Sequence, residues 1–368
     1  MPADELFRRN AELMGYWLGG ETGALTDALA GDAQAARLFL DFLDRQHLRF
    51  QFMASLEGSE LRSLFATATL IEWERSIGER RARQAGLVEE LADLDDLLRS
   101  RGIDYRLLKG PFLGQRFFGG VERRPFGDLD LLVRPAHFAE VDALVVATGF
   151  ERLSALPFGH RFATRFAHGC DYRRGACRLD LHWAPATHPS YRIDEGRLWQ
   201  EGTAFEVANR RIPVLTDESA LLFVAVSFFE DLDRGAGRLK SVVDLERMLT
   251  RMEGTTDWSS LFLRAEAEGF GSILPSILRL AMDFANADQR LRSLANELDR
   301  QANDAPIDWA ARVALVDAAP GRLHNKLWAS KLYACSRGLA LGWWVLSLPM
   351  RRAVYAPISF RGMFRRKR

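Results

Sequence analysis

Two aspartates separated by one leucine are the residues of this chain whose spacing most clearly indicates chemistry. Asp128 and Asp130 flank Leu129 in the segment 127–133. In an extended segment successive side chains point to opposite faces, so both carboxylates are predicted on one face and the leucine on the other. Carboxylate oxygens are the ligands that hard cations such as Mg²⁺ prefer.

A third aspartate lies in a later extended segment, 179–183. Asp180 is predicted to join the other two carboxylates on a neighbouring strand, which makes an oxygen-lined site for Mg²⁺ and a polyphosphate. His182 follows Asp180 at the two-residue spacing of one strand face. It is therefore predicted to hydrogen-bond the carboxylate and to fix its orientation.

Local signals predict the elements that position these residues. Residues 103–108 are predicted to form a strand, Lys109-Gly110 a turn, and Pro111 the first residue of a helix. The amide groups at such a helix start have no partner within the helix and can receive an anion. Residues 128–133 are predicted as the next strand and residues 135–148 as a helix.

Helices are predicted on both sides of this region. Residues 1 to about 100 contain no convincing strand, and leucines between positions 87 and 98 recur at helical spacing. Residues 161–184 are predicted to form a hairpin of two extended runs. Beyond Thr216-Asp217, which suits a helix N-cap, helices are predicted to about Ala319.

The predicted fold class is therefore α+β, with a mixed β-sheet core flanked by N- and C-terminal helical regions. The predicted division is an N-terminal helical region at 1–100, the core at 101–216, a C-terminal helical region at 217–320, and a basic, aromatic-containing tail at 321–368.

The charge of the chain is unevenly distributed. Its 368 residues carry a formal charge of +1, yet eleven Lys and Arg and no acidic residue follow Asp317, so the preceding part has a net charge of −10. Such a tail can associate with an anionic membrane surface, an acidic partner or nucleic acid, or can pack as a helix with a basic end. Its apolar run at 338–350 is too short to span a bilayer, so no transmembrane segment is predicted.

The expected location is the cytoplasm, with the tail peripheral at the inner membrane surface as a further option. The N-terminus lacks the basic start and apolar run of a secretory signal. Three cysteines, Cys170, Cys177 and Cys335, are too few for a disulfide framework. A zinc site built from His168, Cys170, Cys177 and His182 is disfavoured because the spacing matches no usual ligand pattern.

Four segments together resemble a known family. They are LLKG at 107–110, RPFGDLDLLV at 124–133, LDLHW at 179–183 and RLKSVVDLERML at 238–249. In order and spacing they resemble the bacterial uncharacterised nucleotidyltransferase branch of the DNA polymerase β-type nucleotidyltransferase superfamily.

The resemblance implies a nucleotidyltransferase-like core in which Asp128, Asp130 and Asp180 are catalytic and hold two Mg²⁺ ions, with Mn²⁺ as a substitute. The implied reaction moves a nucleoside monophosphate from an NTP such as ATP to an acceptor hydroxyl and releases pyrophosphate. The acceptor is open among a small molecule, a protein and RNA.

The candidate nucleotide-binding residues are Lys109, Gly110, Arg123, Arg124 and Lys240. The superfamily's usual Gly-Ser phosphate turn is Lys109-Gly110 here, which removes a hydroxyl that the lysine charge can replace. Asp244, one helical turn after Lys240, is expected to orient that lysine or to form a plain surface ion pair with it.

Two competing functions remain open. The first is a catalytically inactive binding or regulatory module that docks through its basic tail, which the missing hydroxyl of the phosphate turn would fit. The second is a toxin-like enzyme that nucleotidylates tRNA or a protein.

Overall fold

A computed structural model of the chain describes residues 3–154, 156, 158–184, 194–200, 202–233, 237–271 and 273–301. The predicted tail and Cys335 lie outside these residues. Within the described part of the chain, no helix combines the length and the apolar character that a membrane crossing requires.

The described residues form fourteen α-helices. Their bounds are α1 Ala3–Gly19, α2 Thr22–Leu29, α3 Ala33–Arg45, α4 Arg49–Ser55, α5 Thr67–Ser100, α6 Pro111–Phe118, α7 Phe138–Ala147, α8 His160–Phe166, α9 Glu195–Gln200, α10 Asp217–Asp233, α11 Leu239–Met252, α12 Trp258–Glu268, α13 Leu274–Phe284 and α14 Arg292–Arg300. Short 3₁₀ helices occupy Glu60–Leu64, Val121–Arg123 and Pro135–His137.

Seven strands complete the described elements. They are β1 Tyr105–Leu107, β2 Leu129–Val133, β3 Glu151–Arg152, β4 Gly169–Arg174, β5 Cys177–His182, β6 Thr203–Val207 and β7 Arg210–Val214. They form one mixed sheet in the order β3-β4-β5-β2-β1-β7-β6, in which β2 pairs with β5 and β1 with β7 in parallel. The predicted mixed sheet between two helical regions is thus confirmed.

The described part of the chain divides into two compact units. The first contains residues 3–80, 117–119 and 221–301, and the second contains residues 81–116 and 120–220. The sheet lies in the second unit. The four-part division at residues 100, 216 and 320 stays a prediction.

The first unit is helical, and aromatic side chains form part of its core. The ring of Phe52 makes edge-on contacts with Trp17, Phe39 and Phe65, at centroid distances of 5.3, 5.6 and 5.4 Å. Edge-on rings place the positive edge of one ring against the negative face of another.

The predicted N-cap of α10 is confirmed, since the Thr216 hydroxyl accepts a bond from the Ser219 amide at 3.2 Å.

In the second unit, the C-terminal part of helix α5 packs beside the sheet. The leucines at 87, 91, 94 and 98 are all buried, as their helical spacing predicts. Buried Asp95 on α5 accepts a hydrogen bond from the Tyr105 hydroxyl of β1 at 2.7 Å. Helix α5 ends at Ser100, and Gly102 follows with a φ of +64°, a conformation that glycine adopts without steric cost.

Three parts of the sheet region differ from the prediction. Residues 160–166 form helix α8 instead of an extended run. Phe158, Phe162 and Phe166 recur at the four-residue spacing that brings side chains together along a helix, and their rings contact at tilted angles with centroids 4.7 and 4.6 Å apart. Strand β3 and the β6–β7 hairpin were not predicted. The hairpin turns through Ala208 and Asn209, whose φ values of +51° and +59° are typical of a tight two-residue turn.

Candidate active site

The site begins with the parallel pairing of β2 and β5. In that register Asp130 lies beside Asp180, and Leu129 and Leu131 lie beside Leu179 and Leu181. The four leucines are buried on one face of the sheet. Because side chains alternate along a strand, the two aspartates share the opposite face, as the sequence predicts.

His182 completes a group of three ligand-type side chains. Its Nε2 atom lies 3.4 Å from Oδ1 of Asp130. One ligand atom from each of Asp130, Asp180 and His182 lies within 4.8 Å of the others, an arrangement that can hold a metal ion. His182 therefore lies within hydrogen-bonding distance of the Asp130 carboxylate on the neighbouring strand, and its predicted bond to Asp180 stays a prediction.

The two carboxylates have opposite pKa shifts. Burial raises the pKa of Asp130, and the hydrogen bond from His182 lowers it. The positive charges of Lys109 and Arg124 lower it further, so the pKa of Asp130 falls below its ordinary value.

The effect of burial on the pKa of Asp180 is not offset by nearby positive charges to the same extent. Burial raises the pKa of Asp180, and the negative charge of Asp130 raises it further, to about 8. Lys109 opposes this shift without cancelling it. Asp180 therefore keeps its proton at neutral pH unless further positive charge comes to this face, and a bound cation would supply that charge.

The Lys109-Gly110 turn follows one residue after β1. The Leu108 amide donates to the Asp130 carbonyl at 2.9 Å, which ties the turn to β2. Gly110 has a φ of +62°, and a Cβ placed there would lie 3.5 Å from the Asp128 carbonyl oxygen. Pro111 is the first residue of α6, as predicted. The backbone therefore fixes Lys109 close enough for its charge to act on both Asp130 and Asp180.

Arg123 and Arg124 have different environments. Arg124 is buried, and its carbonyl accepts a 2.9 Å bond from the Gln84 side chain of α5. The Arg123 side chain is 63% exposed and lies 3.9 Å from the carboxylate of Glu122. The structure thus brings Arg124 into electrostatic contact with Asp130 and leaves Arg123 at the surface.

Asp128 immediately precedes β2 and is partly exposed. Its charge raises the pKa of Asp180, although less than the charges of Asp130 and Asp171 do. Asp128 is not a member of the close group of ligand atoms found among the described residues. Its assignment as a metal ligand stays a prediction.

Lys240 and Asp244 belong to the first unit, on α11. Asp244 is buried and Lys240 is partly exposed. Their roles in nucleotide binding and in orienting the lysine stay predictions.

Sequence reasoning missed Asp171. The antiparallel pairing of β4 and β5 puts Asp171 beside Asp180, so three aspartates form a row across β4, β5 and β2. Asp171 is exposed, and its carboxylate accepts a 3.4 Å bond from the Ser154 hydroxyl. The residue lies in the hairpin arm that pairs with β5, but only the register of that hairpin places it opposite Asp180.

The two described cysteines take no part in the close ligand group. Cys170 and Cys177 are buried free thiols, and burial raises the pKa of each to about 12. A thiol with a raised pKa is a weak metal ligand at neutral pH.

A comparison with family models identifies the class of this protein. A family model described as "Uncharacterised nucleotidyltransferase" matches residues 32–286, well over half of the chain. The chain belongs to this family.

Other comparisons add little. A similar solved structure is the solution structure of the antibiotic-resistance factor ANT(2'')-Ia, at 16% identity and a TM-score of 0.29, with 59% of this chain and 94% of that chain covered. A similarity at that score supports no conclusion about this chain. A search of the curated proteins found no match.

Proposed function

We propose that this protein is a Mg²⁺-dependent nucleotidyltransferase that transfers a nucleoside monophosphate from an NTP to an acceptor hydroxyl and releases pyrophosphate. The observation that carries the proposal is the pairing of Asp130 with Asp180 on adjacent parallel strands, beside the charge of Lys109. Membership of a nucleotidyltransferase family supports the reaction class.

The donor set fits divalent cations. Asp130 and Asp180 offer carboxylate oxygens on one face of the sheet, and Asp128 is close enough to affect the pKa of Asp180. Under this proposal the three aspartates hold two Mg²⁺ ions, for which Mn²⁺ can substitute. The raised pKa of Asp180 supports the fit, since a bound cation would supply the positive charge that this carboxylate lacks.

The chain's own residues would bind and align the reactants. Bound Mg²⁺ supplies charge stabilisation at the phosphate and lowers the pKa of an attacking hydroxyl. Under this proposal Lys109 and Arg124, whose charges act on Asp130, neutralise phosphate oxygens, and the amides that follow Gly110 at the start of α6 bind an anion. Arg123 and Lys240 are further candidate phosphate contacts.

The nature of the acceptor and the cellular setting belong to the same proposal. The acceptor is a hydroxyl of a small molecule, a protein or an RNA, and the setting is the cytoplasm. The buried free thiols of Cys170 and Cys177 support a reducing compartment. A tail at residues 321–368 that contacts an anionic membrane or an acidic partner would add a peripheral location.

Isothermal titration with ATP, CTP, GTP and UTP in the presence of Mg²⁺ tests the proposal. At least one NTP is expected to bind the wild type, and Asp130→Asn is expected to weaken that binding tenfold or more, by about 1.4 kcal/mol. Asp93→Asn, at an exposed position of α5, is the matched control. The proposal fails if no NTP binds and the wild type is indistinguishable from Asp128→Ala.

NTP titration and a deletion of the tail distinguish this function from that of a catalytically inactive docking module. If NTPs do not bind but deletion of residues 321–368 abolishes recovery of a partner, the docking module is the better account. If NTPs bind, release of pyrophosphate with candidate acceptors identifies the acceptor class.

A further inference from the structure

The position of His182 has a consequence beyond hydrogen bonding. Its Nε2 atom faces Oδ1 of Asp130 at 3.4 Å, and Asp180 contributes a third ligand atom within 4.8 Å. Two ligands of one divalent ion at about 2.1 Å each are at most about 4.2 Å apart. Only small side-chain adjustments therefore separate this arrangement from a set of three ligands around one ion.

The imidazole has little freedom to turn away from the carboxylates. The exposed fractions of the His182 and Asp130 side chains are only 12% and 11%. On the other side of the ring, Nδ1 lies against Gly169, where an added Cβ would come within 3.3 Å of that atom. Gly169 is the register partner of His182 in β4, so the backbone pairing keeps Nε2 toward Asp130.

We infer that His182 is itself a metal ligand, through Nε2, and that it shifts the selectivity of the site from Mg²⁺ toward Mn²⁺. The inference rests on the proposed function, because it concerns the same metal site. Mg²⁺ binds almost entirely through oxygen, whereas imidazole nitrogen is a better ligand for transition metals. Replacing one oxygen ligand by nitrogen therefore favours Mn²⁺.

The competing role for His182 is that of a positioning residue, which donates a hydrogen bond to Asp130 and contacts no metal. His182→Gln separates the two roles. The glutamine amide can donate to Asp130 from nearly the same place as Nε2, but it supplies no imidazole nitrogen to the metal. His168→Gln is the matched control, since the His168 ring lies 5.5 Å from the His182 ring and is outside the ligand group formed by the described residues.

Pulsed electron paramagnetic resonance of the Mn²⁺ complex gives a readout independent of turnover. The probe is Mn²⁺ alone and Mn²⁺ with an α,β-methylene analogue of each NTP. The wild type and His168→Gln are expected to show ¹⁴N modulation from a coordinated imidazole, and His182→Gln is expected to lack it. Titrations are expected to show Mn²⁺ affinity lowered at least about tenfold in His182→Gln, with Mg²⁺ affinity changed less.

The outcomes separate this inference from the proposed function. Mn²⁺ that binds the wild type without ¹⁴N modulation, or that binds His182→Gln with unchanged affinity and modulation, overturns the inference and leaves the proposed function intact. Failure of Mn²⁺ to bind the wild type, with or without the nucleotide analogues, overturns both. Loss of ¹⁴N modulation in His182→Gln alone supports the inference.

Discussion

Asp130 and Asp180 are neighbours in the parallel register of β2 and β5, yet their pKa values shift in opposite directions. Asp130 lies near His182, Lys109 and Arg124, while Asp180 lies among three other aspartates. The metal-free protein therefore keeps a proton on Asp180 at pH values at which an ordinary carboxyl has lost it. That proton makes the stability of the protein depend on pH.

Asp180→Asn is expected to stabilise the metal-free protein in alkaline solution. The pKa of Asp180 is about 8 in the folded state and near its ordinary value of 3.8 in the unfolded state. The folded state thus binds more protons in this window, so its stability falls as the pH rises through it. Urea unfolding in chelator should show a gain of several kcal/mol, up to about 6 kcal/mol, for the variant near pH 9.

The gain should disappear as the pH falls below about 3, where the unfolded state carries the proton as well. Asp93→Asn, at an exposed position of α5, should show no such dependence. An equal effect of Asp180→Asn at both ends of the pH range would contradict the assignment of this proton.

Lys109→Met is expected to weaken triphosphate binding more than Arg123→Met does. The charge of Lys109 acts on both Asp130 and Asp180, whereas Arg123 is largely exposed and lies beside Glu122. A solvent-exposed charge such as that of Arg123 contributes little to binding. The expected loss of nucleotide affinity is therefore about tenfold for Lys109→Met and under about threefold for Arg123→Met. Nucleotide titration in Mg²⁺ measures both, and a larger loss for Arg123→Met would place the phosphates elsewhere.

Gly110→Ala and Gly102→Ala form a matched pair of backbone tests. The two glycines have φ values of +62° and +64°, so alanine should cost each about 1 kcal/mol of unfolding free energy. Only at Gly110 does an added Cβ meet neighbours, the Asp128 carbonyl oxygen and the Phe126 ring. Both variants should lose similar stability, but only Gly110→Ala should also lose nucleotide affinity.

Asp142→Asn is expected to destabilise the sheet without changing the chemistry of the site. Asp142 is buried and accepts bonds from Arg152 at 2.8 and 2.7 Å, from His160 at 2.7 Å and from the Tyr172 hydroxyl at 2.7 Å. Because the side chains of Arg152 and His160 are 31% and 38% exposed, the expected cost is about 1–3 kcal/mol. Tyr172→Phe, which removes a single hydrogen bond, should cost about 1 kcal/mol.

The contribution of Asp142 to the free energy of unfolding depends on pH with the opposite sign to that of Asp180. Burial raises the pKa of Asp142, but its hydrogen bonds outweigh burial and leave the pKa below 3.8. The ionised Asp142 carboxylate therefore stabilises the folded state above pH 3.8, and this stabilisation is lost as the pH falls below that value. The difference between wild type and Asp142→Asn should narrow in acid, and urea unfolding at several pH values measures it.

The sequence predicts the strands that carry the site because Asp130 and Asp180 each stand between two leucines. Leu129 and Leu179 are buried and the aspartates lie on the opposite face, although Leu132 and Val133 break the alternation at the end of β2. Period-two patterning also places His182 on the face of Asp180. It cannot predict the contact between His182 and Asp130, because this depends on pairing between strands about fifty residues apart in the chain.

The β6–β7 hairpin was not predicted because its own residues lack the usual signals of a hairpin. Its strands carry charged residues, its turn is Ala208-Asn209 in place of the usual Asn-Gly, and β7 contains Pro213. Asp171 was missed for another reason: its importance comes from its neighbour across the hairpin and from no motif of its own.

Strand β3 limits the backbone pairing that one edge of the sheet can offer to another chain. It is two residues long and lies at one edge of the sheet, so it offers an approaching chain few backbone groups with which to pair. The side chain of Arg152 fastens it to Asp142. Loss of that anchor would uncover the longer strand β4, so a substitution that weakens folding would also open a template for aggregation.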